Sequence, residues 1–242
     1  MLLLVGCKSE ITFTPVIIPQ KTELLISEIS TAINTDPLAA GTRPHYVELY
    51  NGTGSSIDLS NYAIGYFAVT DNTTLTNYSF ATGFFIPLQR TLLNEKCYII
   101  ASPQCDIVAI KRDTVWGTTS TLAAQASMPL QLSGNSGTAL LKKDPTGTIT
   151  LAGTNYKVID VFGSPQVARV TSMGSVSTRN NIIWIIAGEV ADTRNRTFWR
   201  KASVVSPITD WAASKGSNID NSQWKLSGDR LWDYTNLGLP TQ

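Results

Sequence analysis

HYVELYNGTGSSIDLSNYAI, residues 45–64, contains a short strand, a turn and the beginning of a second strand. Apolar and polar side chains alternate through its first half, so Val47 and Leu49 face one side of the strand and Glu48 faces the other. The pattern predicts a sheet with at least one face on an apolar core. It also places a carboxyl group on a strand that is otherwise rich in apolar and aromatic residues.

Three roles are open to Glu48: catalytic acid, metal ligand or structural residue. Tyr46 and Tyr50 flank it two positions away on the same face and could donate hydrogen bonds to its carboxylate, as could the backbone of a neighbouring loop. A buried glutamate without such partners would be costly. Neither a second carboxylate nor a histidine is adjacent in sequence to complete a catalytic pair. We therefore interpret Glu48 as a structural residue.

Short strand-like runs rich in Ile, Val and Tyr continue along nearly the whole chain. Asn51-Gly52 is typical of a turn that tolerates positive φ. Helical turns are predicted only at 121–132 and 208–216, the second with Gly216 as its C-cap. The fold class is therefore all-β, a sandwich or a barrel. The predicted strands are 23–30, 46–51, 62–69, 96–102, 106–111, 138–143, 156–163 and 182–188.

Composition excludes several classes of function. Of 242 residues, 43% are hydrophobic and 15% charged, and 19 Lys+Arg against 18 Asp+Glu give a net charge of +1. A nucleic-acid binder usually shows a basic excess, which this balance does not offer. The single histidine, His45, excludes a histidine-rich zinc site and leaves a hydrolase triad only through His45 itself. We expect neither a metal site nor a cofactor.

The N-terminus predicts export. Leu4-Val5-Gly6-Cys7 resembles a bacterial lipobox, in which a small residue precedes the cut and the cysteine thiol carries the lipid. On this interpretation residues 1–6 are the residual signal peptide, 7–22 a tether and 23–242 one domain. The expected location is the cell envelope, as an outer-membrane lipoprotein that faces the periplasm or the outside.

Cys97 and Cys105 stand eight positions apart, separated by a Ser-Pro turn. In an oxidising compartment they could form a disulfide. They could equally be two small buried residues on neighbouring strands. Both alternatives remain open at the level of sequence.

The segment RNRTFWRK, residues 194–201, is the one basic and aromatic cluster. Such interleaving can bind single-stranded nucleic acid or an anionic glycan through stacking and charge. A strand of the same alternation can instead bury Phe198 and hold its arginines in salt bridges, which is the interpretation we favour. The candidate ligand surface comprises Arg194, Arg196, Trp199, Arg200 and Lys201.

Several motifs together resemble the lamin-tail domain family, in particular a bacterial lipoprotein member of Bacteroidetes type. In chain order they are ELLISEIS, HYVELYNGTGSSIDLSNYAI, LNEKCYIIAS, LQLSGNSGTALLKKDPTGTITL, VIDVFG, RTFWRKASV and the Trp-containing tail NSQWKLSGDRLWDYTNLGLP.

The resemblance implies an immunoglobulin-like β-sandwich with a hairpin at Asp144–Gly147, and with Glu48 as part of the fold. It implies no catalytic constellation. A lamin-tail core needs about half this length, so long loop insertions are expected at 34–44, 66–86, 112–130 and 166–193.

Two functions follow as expectations. The first is a non-enzymatic envelope lipoprotein that uses its sandwich for binding, adhesion or structure, with a protein or glycan ligand and with the membrane as partner through its lipid. The alternative is a nucleic-acid-binding accessory of a secreted nuclease system, which the charge balance does not favour. Four tryptophans in the last quarter predict a C-terminal flap packed on the sandwich, or else an aromatic platform for a ligand.

Overall fold

The structure of the chain is a computed structural model. It describes residues 18–31, 44–68, 85–103, 105, 112–116, 132, 136–164, 170–171, 182–189, 196–228 and 231–239. The described strands are β1 Leu25–Ser30, β2 Tyr46–Asn51, β3 Ile57–Asp58, β4 Tyr62–Ala68, β5 Phe85–Pro87, β6 Thr91–Leu92, β7 Lys96–Ala101, β8 Thr114–Val115, β9 Ser136–Lys143, β10 Ile149–Leu151, β11 Thr154–Phe162, β12 Val170–Thr171, β13 Ile182–Ile183, β14 Thr197–Arg200 and β15 Trp224–Leu226. A 3-10 turn, Leu59–Asn61, and one helix, α1 Trp211–Lys215, complete the described elements.

The predicted all-β class is confirmed, and two sheets dominate the fold. One sheet has the order β15-β14-β1-β2-β7-β8, and the other has the order β10-β11-β9-β4-β5. All pairs within them are antiparallel except β7 with β8. Two short pairs, β3 with β6 and β12 with β13, lie outside these sheets. The predicted strand 106–111 lies outside the described residues.

Inward-facing side chains of both main sheets share one hydrophobic core, which gives the fold its sandwich-like character. Ile26 and Val47 come from the first sheet, and Leu140 and Phe162 from the second. The Phe162 ring meets three other aromatic rings, those of Phe198, Trp211 and Trp224, at centroid distances of 5.0, 5.1 and 5.1 Å. Aromatic pairs in such tilted or edge-on arrangements each contribute about 0.5–1.5 kcal/mol beyond the area they bury.

A β-bulge in β1 explains how ISEI fits this core. Ile26 pairs with Leu49 and Ile29 pairs with Val47, and the register shifts between them. Residues three apart on a regular strand face opposite sides, yet Ile26 and Ile29 both belong to the core. The extra residue, Ser27, restores the alternation. As a result, the glutamate that follows Ser27 faces the opposite side of the sheet.

The helical turn predicted at 208–216 is present as α1, and the turn predicted after β2 is present with a different left-handed glycine. The Asp210 side chain accepts a hydrogen bond from the Ala213 N–H, and Gly216 with φ 62° ends the helix, as predicted. In the turn after β2, however, the left-handed residue is Gly54, with φ 85°, and not Gly52.

The prediction of a hairpin at Asp144–Gly147 is wrong. The Asp144 carboxylate does close a tight turn by accepting the Thr146 N–H at 2.9 Å. This turn joins β9 to β10, but β11 lies between those two strands in the sheet. The hairpin is instead formed by β10 and β11, through Ala152 and Gly153 with φ of 48° and 77°. In the part of the chain that the structure describes, no helix has the length and apolar character needed to span a membrane.

Candidate functional site

The outer face of the six-stranded sheet carries a buried pair of carboxyl groups. Glu28 of β1 lies directly opposite Glu48 of β2, and their side chains are only 2% and 1% exposed. Directly paired residues on antiparallel strands have Cβ atoms about 4.5–5.5 Å apart. The fold therefore supplies the second carboxyl that is missing from the sequence neighbourhood of Glu48.

Each carboxyl has its own hydrogen-bond donors. Glu48 accepts from the Ser27 hydroxyl at 2.6 Å and from the Gly238 backbone N–H at 2.5 Å. The Tyr46 hydroxyl donates to Glu28 and not to Glu48. Tyr46, which was expected to donate to Glu48, therefore donates to Glu28 on the neighbouring strand. Glu48 instead accepts a hydrogen bond from the backbone of Gly238, which is distant in sequence. These contacts fit a structural role for Glu48.

Burial raises the pKa of both carboxyls. The pKa of Glu28 rises to about 9, first because the group is removed from water and next because Glu48 is a like charge beside it. The pKa of Glu48 rises to about 7 through burial, which the hydrogen bonds from Ser27 and Gly238 partly offset. At neutral pH Glu28 is therefore protonated, and the pair carries at most about one negative charge.

A C-terminal segment covers this face of the sheet. We call residues 231–239 the strap. Trp232 and Leu237 of the strap pack against a small apolar cluster on the sheet, and the Asp233 N–H donates to the Thr197 hydroxyl of β14 at 3.1 Å. Of the four tryptophans that predicted a C-terminal flap, only Trp232 belongs to this segment, because Trp199, Trp211 and Trp224 lie on β14, α1 and β15. The covered cluster comprises Tyr46, Ile99, Ala101 and Cys105.

A cleft of about 340 Å³ opens between the strap and β7. Its size is at the lower end of the range for small-molecule sites. Tyr234 provides an exposed aromatic wall, whose ring contacts the Trp232 ring at a centroid distance of 4.7 Å. Glu48 lies directly behind the cleft, because its partner Gly238 is part of the lining. The lining residues are Lys96, Cys97, Ile99, Asp113, Tyr234, Leu237 and Gly238.

The candidate disulfide is not formed, because Cys97 and Cys105 are both free. Cys97 lies near the start of β7, and a turn holds the Cys105 N–H on the Ser102 carbonyl just beyond its end. The strand from Cys97 to Ala101 alone spans about 13 Å. A disulfide requires Cα atoms within about 7 Å. Burial raises the pKa of both thiols.

The structure separates the residues of the basic cluster. Arg194 lies outside the described residues. Arg196 is buried and its Nη1 contacts a Glu189 carboxylate oxygen at 2.7 Å. Trp199 is half-buried and pairs with Glu28 on the neighbouring strand. Lys201 donates through Nζ to two backbone carbonyls of the 217–222 turn.

The position of Arg200 contradicts most clearly the hypothesis that residues 194–201 form a ligand surface. Its side chain is 0% exposed, and its Nη2 lies 2.5 Å from both oxygens of Asp160 on β11. The guanidinium also donates to the Ile26 carbonyl at 3.2 Å and stacks over the Trp224 ring. A fully buried arginine cannot contact nucleic acid or glycan. The charge of Arg200 instead joins the two sheets.

His45 does not fit the role of a general base. It is 2% exposed, and its Nδ1 accepts a hydrogen bond from the Leu132 N–H at 3.0 Å. The cleft lining does not include it. Among the described residues, no cluster of three or more His, Cys, Asp or Glu side chains could hold a metal ion.

Cys7, the expected lipid attachment site, lies outside the described residues. The chain matches no family model, and it likewise has no match among curated proteins or among solved structures.

Proposed function

We propose that this chain is a non-enzymatic binding module of the cell envelope, an immunoglobulin-like β-sandwich of lamin-tail type held at a membrane by a lipid on Cys7. The observation that carries the binding role is the cleft between β7 and the strap. One wall is strand β7, whose sheet is packed into the core on its inner face and gives the site a rigid side, and the strap forms the other wall.

The order of the strands supports the lamin-tail assignment. The Ile-Ser-Glu-Ile and Val-Glu-Leu-Tyr-Asn motifs become the adjacent strands β1 and β2, and the Tyr-Ile-Ile-Ala motif becomes β7 beside β2. The Thr-Ala-Leu-Leu and Val-Ile-Asp motifs pair with each other in the second sheet. Each of these five motifs therefore forms a strand; the first three are neighbours in one sheet and the last two are neighbours in the other.

The chemistry of the cleft favours binding over catalysis. A Cys97 thiol with a raised pKa is a poor nucleophile, because the thiolate is the reactive form. Asp113 accepts the Ile99 N–H at 2.7 Å and pairs with Arg90, so its carboxylate is already bonded. Tyr234 and Leu237 offer contact area to a protein or glycan.

Lipid attachment would fix the location of the module. A single acyl chain binds a membrane reversibly, whereas the two or three chains of a bacterial lipoprotein hold firmly. Of the expected tether 7–22, Lys21 and Thr22 are held on the domain by backbone hydrogen bonds to Gly52 and Val205, so the part before them would act as the tether, with Pro15 and Pro19 favouring an extended backbone.

Arrays of proteins and of glycans, probed with the full chain, test the binding role. We expect a ligand whose affinity falls at least tenfold in Tyr234→Ala, because that substitution removes the aromatic wall of the cleft. Leu231→Ala is the matched control, since Leu231 is exposed on the same strap but does not line the cleft. Binding that is equally strong in both variants would contradict the cleft as the site.

A further inference from the structure

We infer that the strap is a proton-linked wall of the cleft, which docks tightly while the Glu28 and Glu48 pair is protonated and loosens as the pair ionises. The inference rests on the proposed function in one respect, the use of the cleft as a binding site. The linkage between protons and the strap concerns the protein alone and can be measured without a ligand.

The strap is fastened directly over the carboxyl pair. Gly238 donates its N–H to Glu48, while Asp233 of the strap lies close enough to Glu28 to raise its pKa by charge repulsion. Trp232 and Leu237 of the strap pack over β2, which carries Glu48, and over the adjacent β7. Glu28 and Glu48 are therefore covered by a segment that only side-chain packing and a few hydrogen bonds hold in place.

Release of the strap would return these carboxyls to water. In the docked state the pKa of Glu28 is about 9 and that of Glu48 is about 7, against an ordinary value of 4.5. Burial is the largest cause in both cases and exceeds the opposite effect of the Gly238 hydrogen bond on Glu48, so exposure would lower both values. At pH values between 4.5 and the docked pKa values, the docked state binds more protons than the released state. Docking of the strap therefore weakens as the pH rises through this range.

The charged groups that face Glu28 and Glu48 also favour the protonated form of the pair in the docked state. Acidic neighbours surround it on the strap and on the segment before β8, and each of them disfavours a new negative charge. Arg90 pairs with Asp113, and Lys96 of the cleft lining is exposed to solvent. The ionisable groups around the pair are Tyr46 on β2, Lys96 and Cys97 on β7, Cys105, Asp113 and Asp233.

The consequence for the cleft is direct, because the strap forms one of its walls. Tyr234, Leu237 and Gly238 would leave the lining together when the strap loosens. A ligand that binds the closed cleft stabilises the docked strap, and by linkage it raises the proton affinity of the carboxyl pair. Binding at this site is therefore strongest in mildly acidic conditions.

Hydrogen exchange followed by NMR tests the linkage in the full chain. The probes are the Asp233 and Gly238 amides, and their protection factors, corrected for the intrinsic pH dependence of exchange, are compared from pH 5 to pH 9. Each proton released on opening lowers protection by up to about tenfold per pH unit. We expect a total loss of at least tenfold in the wild type.

The double variant Glu28→Gln plus Glu48→Gln removes both ionisations while keeping the shape and hydrogen-bond acceptors of the protonated pair. We expect its strap protection to be independent of pH. Asp220→Asn is the matched control, since Asp220 is an exposed carboxylate away from the strap, and it should follow the wild type. Equal pH dependence in the double variant and the wild type would overturn the inference.

Carbon-13 titration of the glutamate carboxyls in the wild type keeps the test decisive if the double variant does not fold. Glu28 and Glu48 titrating between pH 6 and pH 10, in parallel with strap exchange, would support the inference. Titration of both groups near pH 4.5 would overturn it. Absence of any ligand on the arrays would instead count against the proposed function and would leave the result for the strap unchanged.

Discussion

Arg200 and Asp160 form a fully buried ion pair that joins the two sheets of the sandwich. Nη2 of Arg200 on β14 lies 2.5 Å from each carboxylate oxygen of Asp160 on β11, and neither side chain is exposed. Asp160 also accepts the backbone N–H groups of Ile26 and Ile208 at 2.8 and 3.1 Å. The Val161 N–H donates to it as well, at 3.0 Å, so five donor contacts satisfy this carboxylate, which is the condition under which a buried charge is tolerated.

Removing one partner of this pair is expected to destabilise the fold strongly. Arg200→Ala leaves the Asp160 charge buried without its counter-ion, so we expect a loss of about 3–5 kcal/mol in the free energy of unfolding. Urea denaturation measures the change. Lys201→Ala, at the next and partly exposed position, is the control and should change stability by about 0.5 kcal/mol or less. A similar small loss for Arg200→Ala would contradict the assigned pair.

Stability should decrease as the pH rises from about 5 to about 9. Folding raises the pKa of Glu28 and Glu48 from 4.5 to about 9 and about 7, so the folded state binds more protons than the unfolded state in that interval. The stabilisation is complete below pH 4.5 and is lost as the pH passes the folded values. Thermal unfolding across this range measures the effect, and Glu28→Gln should flatten the curve. A Tm that rises with pH in the wild type would show that other groups dominate.

Gly147 should not accept a side chain. A Cβ atom built there would lie 2.2 Å from the Tyr156 carbonyl oxygen, which belongs to the backbone of β11 and cannot rotate away. We expect Gly147→Ala to cost about 1–3 kcal/mol, as for other forced overpacking. Gly228→Ala is the comparison, because the nearest atom to its Cβ is 3.7 Å away. Equal stability of the two variants, measured by urea denaturation, would show that the 144–147 turn differs from the one described.

The thiols of Cys97 and Cys105 should be free and slow to react in the native protein. Both have raised pKa values because of burial, and for Cys97 the nearby Glu48 charge adds to the effect. Alkylation followed by peptide mapping should modify both residues in denaturant without prior reduction, and neither rapidly at pH 8 without denaturant. A Cys97–Cys105 disulfide peptide would contradict the structure.

The strands and their inward faces could be predicted from sequence because the alternation in segments such as YVELYN depends on each segment alone. The pairing of Glu28 with Glu48 could not, because it depends on a register between strands and on the bulge at Ser27. One signal was present. Two isoleucines three apart in ISEI can both face a core only if a bulge lies between them, and Glu28 then faces outward.

The burial of Arg200 shows a second limit of the sequence. Strand periodicity puts Arg196, Phe198 and Arg200 on one face, so a buried Phe198 implies that both arginines point inward. The general rule that charged residues stay exposed predicted instead that both arginines lie on the surface. The counter-ion Asp160 lies 40 residues earlier, and only the packing of two sheets brings it to Arg200.

The most direct test of the central claim, an envelope-anchored binding module, is mass spectrometry of the N-terminal peptide from membrane fractions of cells that express the full reading frame. We predict a peptide that begins at Cys7 and carries a diacylglycerol mass, and a Cys7→Ala variant that lacks this peptide and leaves the membrane fraction. An unmodified Cys7 on a chain that remains in the soluble fraction would contradict the claim.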